Sequence, residues 1–269
     1  MVKINNYTFG NETFKNNEAI YKSVPLNDSL NVVEMVFENN KDITDLLFAV
    51  SYIRENKAEA QIELNMPYIP YSRMDREINE QIFSLKHFAK IINAMSFSKV
   101  RVYDPHSIVS RELINNLEVM PLESIIEKVC EKNHIDIIMF PDKGARTKYT
   151  EQYKHLCSKY PVIFAEKVRD LNNRGKILES KLIGAEDIEL RNKKVLIIDD
   201  ICVYGNTFKF ASIALKEKEV KDVYLWVTHC ENAVFDGPLL SEHYVSKIFT
   251  TNSIVRKEHP DVEVMVDVN

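Results

Sequence analysis

Four consecutive apolar residues, Val195-Leu196-Ile197-Ile198, run directly into Asp199 and Asp200, and a loop through Gly205 and Thr207 then leads into a helix. An apolar run this short and unbroken leaves no solvent face, so it fits a strand buried on both sides of a parallel sheet. The same grammar recurs along the chain. Ile43, Leu46, Leu47, Val50 and Ile53 have the spacing of a helix with one buried face, and Ala60 to Leu64 reads as a strand. Ser84 is placed to cap a helix burying Leu85, Phe88, Ile92 and Met95, and Lys99 to Tyr103 is the next strand. Helix over Ile125, Ile126 and Val129, strand over Ile135 to Phe140, helix over Phe208 to Lys216 and strand over Val223 to Val227 complete the pattern. Polar residues follow the strands: Asp104 and His106, Asp142, Asp199 and Asp200, His229. Wound sheets hold ligands at the carboxyl ends of their strands. The expectation is an α/β chain of two domains, residues 1–120 and 121–269, each a mainly parallel sheet flanked by helices. The last residues are expected to pack back on the N-terminal domain.

Composition narrows the function classes. A net charge of −5 over 269 residues argues against a nucleic-acid binder, so any basic site is local. Met1 to Asn6 lacks the apolar core of a secretory signal, and the richest apolar stretch, Leu46 to Ile53, is too short to span a bilayer. Cys130, Cys157, Cys202 and Cys230 lie far apart with no CxxC pair. They read as reduced thiols, and the chain as a cytoplasmic protein with small-molecule partners.

Two readings of Asp199-Asp200 stay open from the residues alone. Adjacent carboxylates at a strand end repel unless a cation or hydroxyl donors sit between them, and a vicinal diol suits them. The helix start beyond favours an anion such as phosphate. The plainer reading is a pair of solvated loop acids. Likewise, a lone His106 is more often a structural residue, Lys167 and Arg169 a charged face, and Tyr68 and Tyr71 core-edge aromatics.

In combination these segments resemble a family. Asp199-Asp200 with its loop is similar to the phosphoribosyl diphosphate signature of type I phosphoribosyltransferases and ribose-phosphate pyrophosphokinases. Pro67-Tyr68-Ile69-Pro70-Tyr71-Ser72-Arg73-Met74-Asp75-Arg76 looks like the pyrophosphokinase PYxxYxRxDR, and Asp104-Pro105-His106 its D-x-H. Phe140-Pro141-Asp142-Lys143-Gly144 resembles PDxGG, Lys167-Val168-Arg169 the K-x-R, and Phe14-Lys15-Asn16-Asn17-Glu18 the F-x-[DN]-x-E. Thr228-His229 and Thr250-Thr251-Asn252 fall where that family has TH and TN. The resemblance is collinear over roughly residues 9–255, with the chain shorter than the usual member before Pro67.

The resemblance implies two tandem type I phosphoribosyltransferase-like domains and a magnesium-dependent diphosphokinase. Such an enzyme transfers the β,γ-diphosphate of ATP to the 1-hydroxyl of a ribose 5-phosphate moiety and releases AMP. By analogy Lys167 and Arg169 supply cations from a mobile loop, with Asn172 to Lys176 as part of a closing lid. Phe14, Asn16, Glu18, Arg73, Asp75 and His106 bind ATP, and His106 and Asp142 reach Mg²⁺. Asp199, Asp200, Tyr204, Gly205, Asn206 and Thr207 hold the ribose phosphate. Phe14, Asn16 and Glu18 come from a neighbouring subunit in the family, which implies a homodimer or larger homo-oligomer.

The phosphate loop departs from the family's D-D-x-x-D-T-x-G-T. Val203 replaces the third acid, Tyr204 the first Thr and Asn206 the Gly; Ala145 replaces the second Gly of PDxGG, and Met74 the Gln of RQD. Two acceptors fit. Ribose 5-phosphate is one, with Asn206 taking a left-handed conformation and donating its amide. The other is a ribose extended beyond its 5-phosphate, such as ADP-ribose, with Tyr204 stacking on a base. The second would join the enzyme to NAD rebuilding, the first to nucleotide biosynthesis. A non-catalytic regulatory relative, or a transferase consuming the activated sugar, are the competing classes. Retained cations and acids argue against the first, and the PYxxYxRxDR-like half against the second.

Overall fold

A computed structural model of the chain describes residues 1–10, 12–170 and 176–268; the side chains of 167–170 and 176–180 lie outside that description. The chain divides into two compact units, Met1–Met120 joined by Val268, and Pro121–Asp267.

In the first unit the elements run β1 (Val2–Ile4), β2 (Tyr7–Phe9), β3 (Glu12–Thr13), β4 (Ala19–Ile20), β5 (Leu30–Met35), α1 (Lys41–Asn56), β6 (Gln61–Asn65), α2 (Ser84–Ala94), β7 (Lys99–Tyr103), α3 (Val109–Leu113) and β8 (Leu117–Met120). The main sheet has the order β2-β1-β5-β6-β7-β8. Strands β5 to β8 are parallel, and β1 and β2 form an antiparallel edge. Asn5 and Asn6, at φ 48° and 69°, make the tight turn between those two edge strands. Alternate residues of β6 and β7, Ile62, Leu64, Val100 and Val102, are buried with Leu46, Ala49 and Ile53 of α1 and Leu85, Phe88 and Ile92 of α2. Each such side chain contributes ~1.5–3 kcal/mol by leaving water. Three local expectations shift. Leu47 points outward, 47% exposed, because the buried stripe of α1 runs through Ala49 instead. Ser84 is the first residue inside α2, with Phe83 at the cap position and no side-chain cap. The strand after α1 begins at Gln61, one residue late.

The second unit runs α4 (Glu123–Asn133), β9 (Ile137–Phe140), α5 (Lys143–Gln152), α6 (Lys154–Lys159), β10 (Val162–Asp170), β11 (Lys176–Ile183), β12 (Lys194–Cys202), α7 (Asn206–Lys216), β13 (Asp222–Cys230), α8 (Pro238–Ser241), β14 (Lys247–Thr251) and β15 (Val262–Val266). Its sheet has the order β11-β10-β9-β12-β13-β14-β15, parallel except where β11 turns back on β10. Val195 to Ile198 are fully buried in the middle of the sheet, as an unbroken apolar run requires. Phe208, Ala211 and Leu215 of α7 join the core on one face. Phe140, Tyr149 and Tyr153 build an aromatic stack elsewhere in the unit, with rings 5.7 Å and 5.1 Å apart. Both sheets are mainly parallel and flanked by helices, the expected α/β class. No helix among the described residues is long and apolar enough to cross a membrane.

Candidate active site

Strand β12 carries its two acids inside the ladder. Asp199 pairs in register with Val227 and precedes the strand end at Cys202 by three residues. The Asp199 and Asp200 carboxylates lie within hydrogen-bonding reach of each other. Asp200 is buried and Asp199 half-buried; the Asp200 N–H donates to Asp199 Oδ1 at 3.0 Å. Burial, the adjacent Asp200 carboxylate and a hydrogen bond with it push Asp199 well above the usual carboxylate range, and the Asp142 charge adds to the push. Three acids of the unit, Asp142, Asp199 and Asp200, thus share one electrostatic environment. Such a group favours a cation, a hydroxyl donor or a retained proton.

The loop after β12 turns on Gly205, at φ +82°, and not on Asn206, which is the first residue of α7 with ordinary helical backbone. The left-handed role expected of Asn206 therefore belongs to Gly205. The turn is tightly enclosed. A Cβ on Gly205 would lie 2.7 Å from Leu239 carbons, and one on Gly237 would lie 2.2 Å from the Tyr204 carbonyl oxygen. Both glycines serve close approach. No side chain caps α7, so its first N–H groups lie beside exposed Asn206 and half-buried Thr207. Uncapped helix N–H groups attract an anion. Tyr204 is 53% exposed at the rim.

Asp142 lies two residues past β9 and caps α5, its Oδ1 accepting from the Ala145 N–H at 2.9 Å. Lys167 and Arg169 lie in strand β10, their backbone opposite Ser180 and Ile177 of β11. They belong to a β-hairpin, where a loop was expected; their side chains, and the lid residues 171–175, lie outside the described residues.

In the first unit, Asp75 and His106 come together. Arg76 forks Asp75 through Nε and a terminal nitrogen at 2.8 and 3.1 Å. That pair, a hydrogen bond from Ser107 and the nearby His106 hold Asp75 below the usual carboxylate range. Arg76 and Ser107 escaped the sequence reading, although Arg76 stands in the quoted motif. Arg73 and His106 are exposed. The backbone is strained on both sides of this group, with Tyr71 at φ +62° and buried Asp104 at φ +37°. Tyr71 is held by its hydroxyl to Asn40 Oδ1 at 2.6 Å and by its ring against Phe88.

Phe14, Asn16 and Glu18 share the tip of the β3–β4 hairpin, all exposed, with Phe14 58% open. The Phe14 N–H donates to Glu18 O at 2.8 Å, and the Glu18 N–H donates to Asn16 Oδ1 at 3.2 Å. With its oxygen engaged in that bond, the Asn16 amide offers its nitrogen as a donor, and the Glu18 carboxylate is an acceptor.

A second polar cluster lies at the ends of β13 and β14. His229 Nδ1 meets Ser253 Oγ at 2.8 Å, and the Thr251 hydroxyl donates to Thr228 O at 2.7 Å, all in buried surroundings. The sequence signal for it was the Thr-His and Thr-Thr-Asn pairs.

Two mainly parallel sheets flanked by helices, with acids, a glycine turn and an uncapped helix at strand ends, define an α/β protein of two sheet units. By sequence the chain is a homologue of ribose-phosphate pyrophosphokinases. It is 26% identical to the one from Campylobacter jejuni over 238 residues, covering 84% of this chain and 72% of the relative. It is 28% identical to that of Sulfolobus acidocaldarius over 234 residues (84% and 77%). With the Bacillus subtilis protein it shares 26% over 235 residues (83% and 69%). The crystal structure of phosphoribosylpyrophosphate synthetase from Mycobacterium smegmatis matches the fold with a TM-score of 0.75 at 19% identity, over 94% of this chain and 84% of that one. No protein-family model matches the chain.

Proposed function

We propose that the chain is an ATP-dependent diphosphotransferase acting on the anomeric hydroxyl of a ribose 5-phosphate moiety. The observation that carries the reading is the β12 end. Paired acids matched to a ribose diol stand five residues before a glycine turn and an uncapped helix suited to the 5-phosphate, in a homologue of ribose-phosphate pyrophosphokinases. In the reaction the 1-hydroxyl oxygen bonds to the β-phosphorus of ATP while the bond from that phosphorus to the α,β-bridging oxygen breaks; AMP leaves with that oxygen, and the hydroxyl proton passes to water.

Asp199 and Asp200 accept from the 2- and 3-hydroxyls and orient the sugar. Lys167 and Arg169 meet charge that builds on the transferring oxygens. Arg73, Asp75 and His106 bind the triphosphate side. Phe14 stacks on adenine, and the Asn16 donor beside the Glu18 acceptor matches the N1 and N6 edge of that base. Among the described residues no cluster of three or more metal-ligating side chains exists. Mg²⁺ keeps waters and is held largely through substrate phosphates; Asp142 and His106 would reach it directly or through water. When bound, the ion neutralises phosphate charge.

The altered loop sets the acceptor. Exposed Tyr204 at the rim favours a ribose whose 5-phosphate carries a further group, and ADP-ribose has the free anomeric hydroxyl the reaction needs. The test is AMP release from ATP and Mg²⁺ with ribose 5-phosphate and ADP-ribose supplied separately, for the wild type and for Tyr204→Thr/Asn206→Gly. We expect turnover that chelation abolishes, and a shift toward ribose 5-phosphate on the order of tenfold in the double variant, or ~1.4 kcal/mol. Turnover with neither acceptor favours a regulatory, non-catalytic role; an unchanged preference removes the loop as the specificity determinant.

A further inference from the structure

The β3–β4 hairpin departs from the main sheet of the first unit at Gly10 and returns at Tyr21, and one buried carboxylate holds both ends. Asp45, on the inner face of α1 and 2% exposed, accepts from the Tyr21 hydroxyl at 2.7 Å through Oδ1. Its Oδ2 pairs with Lys41 Nζ at 2.5 Å, and the same ammonium donates to the Gly10 carbonyl at 2.8 Å. The outgoing strand is thus tied through Lys41 and the returning strand through Tyr21.

The packing around this knot is close. The Tyr21 ring sits 4.9 Å from both Phe9 and Phe48. Gly10 lies against it at φ +77°, where a Cβ would come within 2.6 Å of the Tyr21 ring and 3.2 Å of Asp45 Oδ1. Burial and the Asp45 carboxylate push the Tyr21 phenol far above its ordinary value, so it stays a donor at any physiological pH. Beyond the knot, the hairpin's own ladder has only two residue pairs, Glu12 with Ile20 and Thr13 with Ala19, and an exposed Lys22–Glu12 pair. A ladder that short does not hold its own position, and exposed ion pairs add little.

We infer that Tyr21, Asp45 and Lys41 are positioning residues which fix the hairpin so that Phe14, Asn16 and Glu18 are presented together to the nucleotide base. The inference rests on the proposed adenine-binding role of that tip. None of the three touches substrate; they raise the fraction of molecules whose tip is in place. An affinity scales with the fraction of protein in the competent state, so loosening the knot weakens ATP binding without altering the bound geometry.

The experiment compares steady-state kinetics of the full-length wild type, Phe14→Ala, Tyr21→Phe and Lys41→Met, with amide hydrogen exchange across residues 12–20. Tyr21→Phe keeps the ring packing and removes one donor. Expected are a KM for ATP raised about fivefold to tenfold in Tyr21→Phe and Lys41→Met, kcat within about twofold of wild type, an unchanged KM for the sugar acceptor, and faster exchange confined to the hairpin. If Phe14→Ala raises the KM for ATP while Tyr21→Phe and Lys41→Met do not, the positioning role is overturned and the base-binding tip survives. If Phe14→Ala leaves that KM unchanged, the tip reading is overturned and the positioning role with it. A general loss of stability would instead lower kcat and hasten exchange throughout the first unit, which also overturns the proposal.

Discussion

Asp199 illustrates how a site residue works against the stability of its own fold. Its folded pKa lies above the ordinary 3.8, first through burial and then through Asp200. A raised acid binds more protons folded than unfolded, so its contribution to stability falls as pH climbs from about 4 through the folded value. Above that value the charged form carries the full penalty. Asp199→Asn keeps the acceptor for the Asp200 N–H and removes the charge. The variant should therefore melt about 2–4 °C above wild type at pH 7.5, the response of a domain this size to ~1 kcal/mol. The gain should vanish below about pH 3, where wild-type Asp199 is protonated in both states. Thermal melts at the two pH values check the sign, and AMP release should fall in the same variant. A wild-type melting temperature raised by ligand and Mg²⁺, with the variant's unmoved, would tie the penalty to binding.

At the scale of elements, the loop between β12 and α7 is held from beneath. Gly237, at an ordinary φ of −95°, is required for space and not for conformation, since a Cβ would meet the Tyr204 carbonyl at 2.2 Å. Backbone has no rotamer to yield, so Gly237→Ala must displace the loop, at ~1–3 kcal/mol by analogy with overpacked cores. Melting should register that loss, and the acceptor KM should rise while the KM for ATP stays near wild type. The clash was invisible in sequence, because it joins residues more than thirty positions apart. What was legible followed local periodicity. The unbroken run Val195 to Ile198 announced a doubly covered strand, and the stripe Leu85, Phe88, Ile92 announced α2. Leu47 misled because its spacing suits a helix face that the fold turns to solvent. Strands β1 to β4 were missed since runs of two or three residues carry no period, although Asn5-Asn6 is itself a hairpin signal. Lys167 and Arg169 looked like loop residues because they lie past Val162 to Phe164, where β10 pairs with β9, on the part of the strand that pairs with β11.

At the scale of the whole molecule, the hairpin tip raises the question of which protomer it serves. Phe14 is 58% exposed, and its neighbours Lys15 to Glu18 are exposed too, so an apolar ring stands open among polar residues. A tip of this kind gains most when a site covers it, and the family resemblance implies that the site belongs to a second copy. Complementation tests the arrangement. Phe14→Ala spoils the tip and leaves the acceptor site intact; Asp199→Asn/Asp200→Asn spoils the acceptor site and leaves the tip intact. If the tip acts across protomers, a co-expressed mixture of the two variants, assayed at ATP far below the KM of Phe14→Ala where each alone is nearly silent, regains turnover, because the Phe14→Ala copy borrows a sound tip from its partner. Random pairing into dimers makes half of them mixed, each with one working site of two, so activity should return to roughly a quarter of wild type. If the tip serves its own protomer, no pairing assembles a complete site, and the mixture stays as inactive as its parts. Separate expression followed by mixing without subunit exchange provides the baseline against which the recovered activity is read.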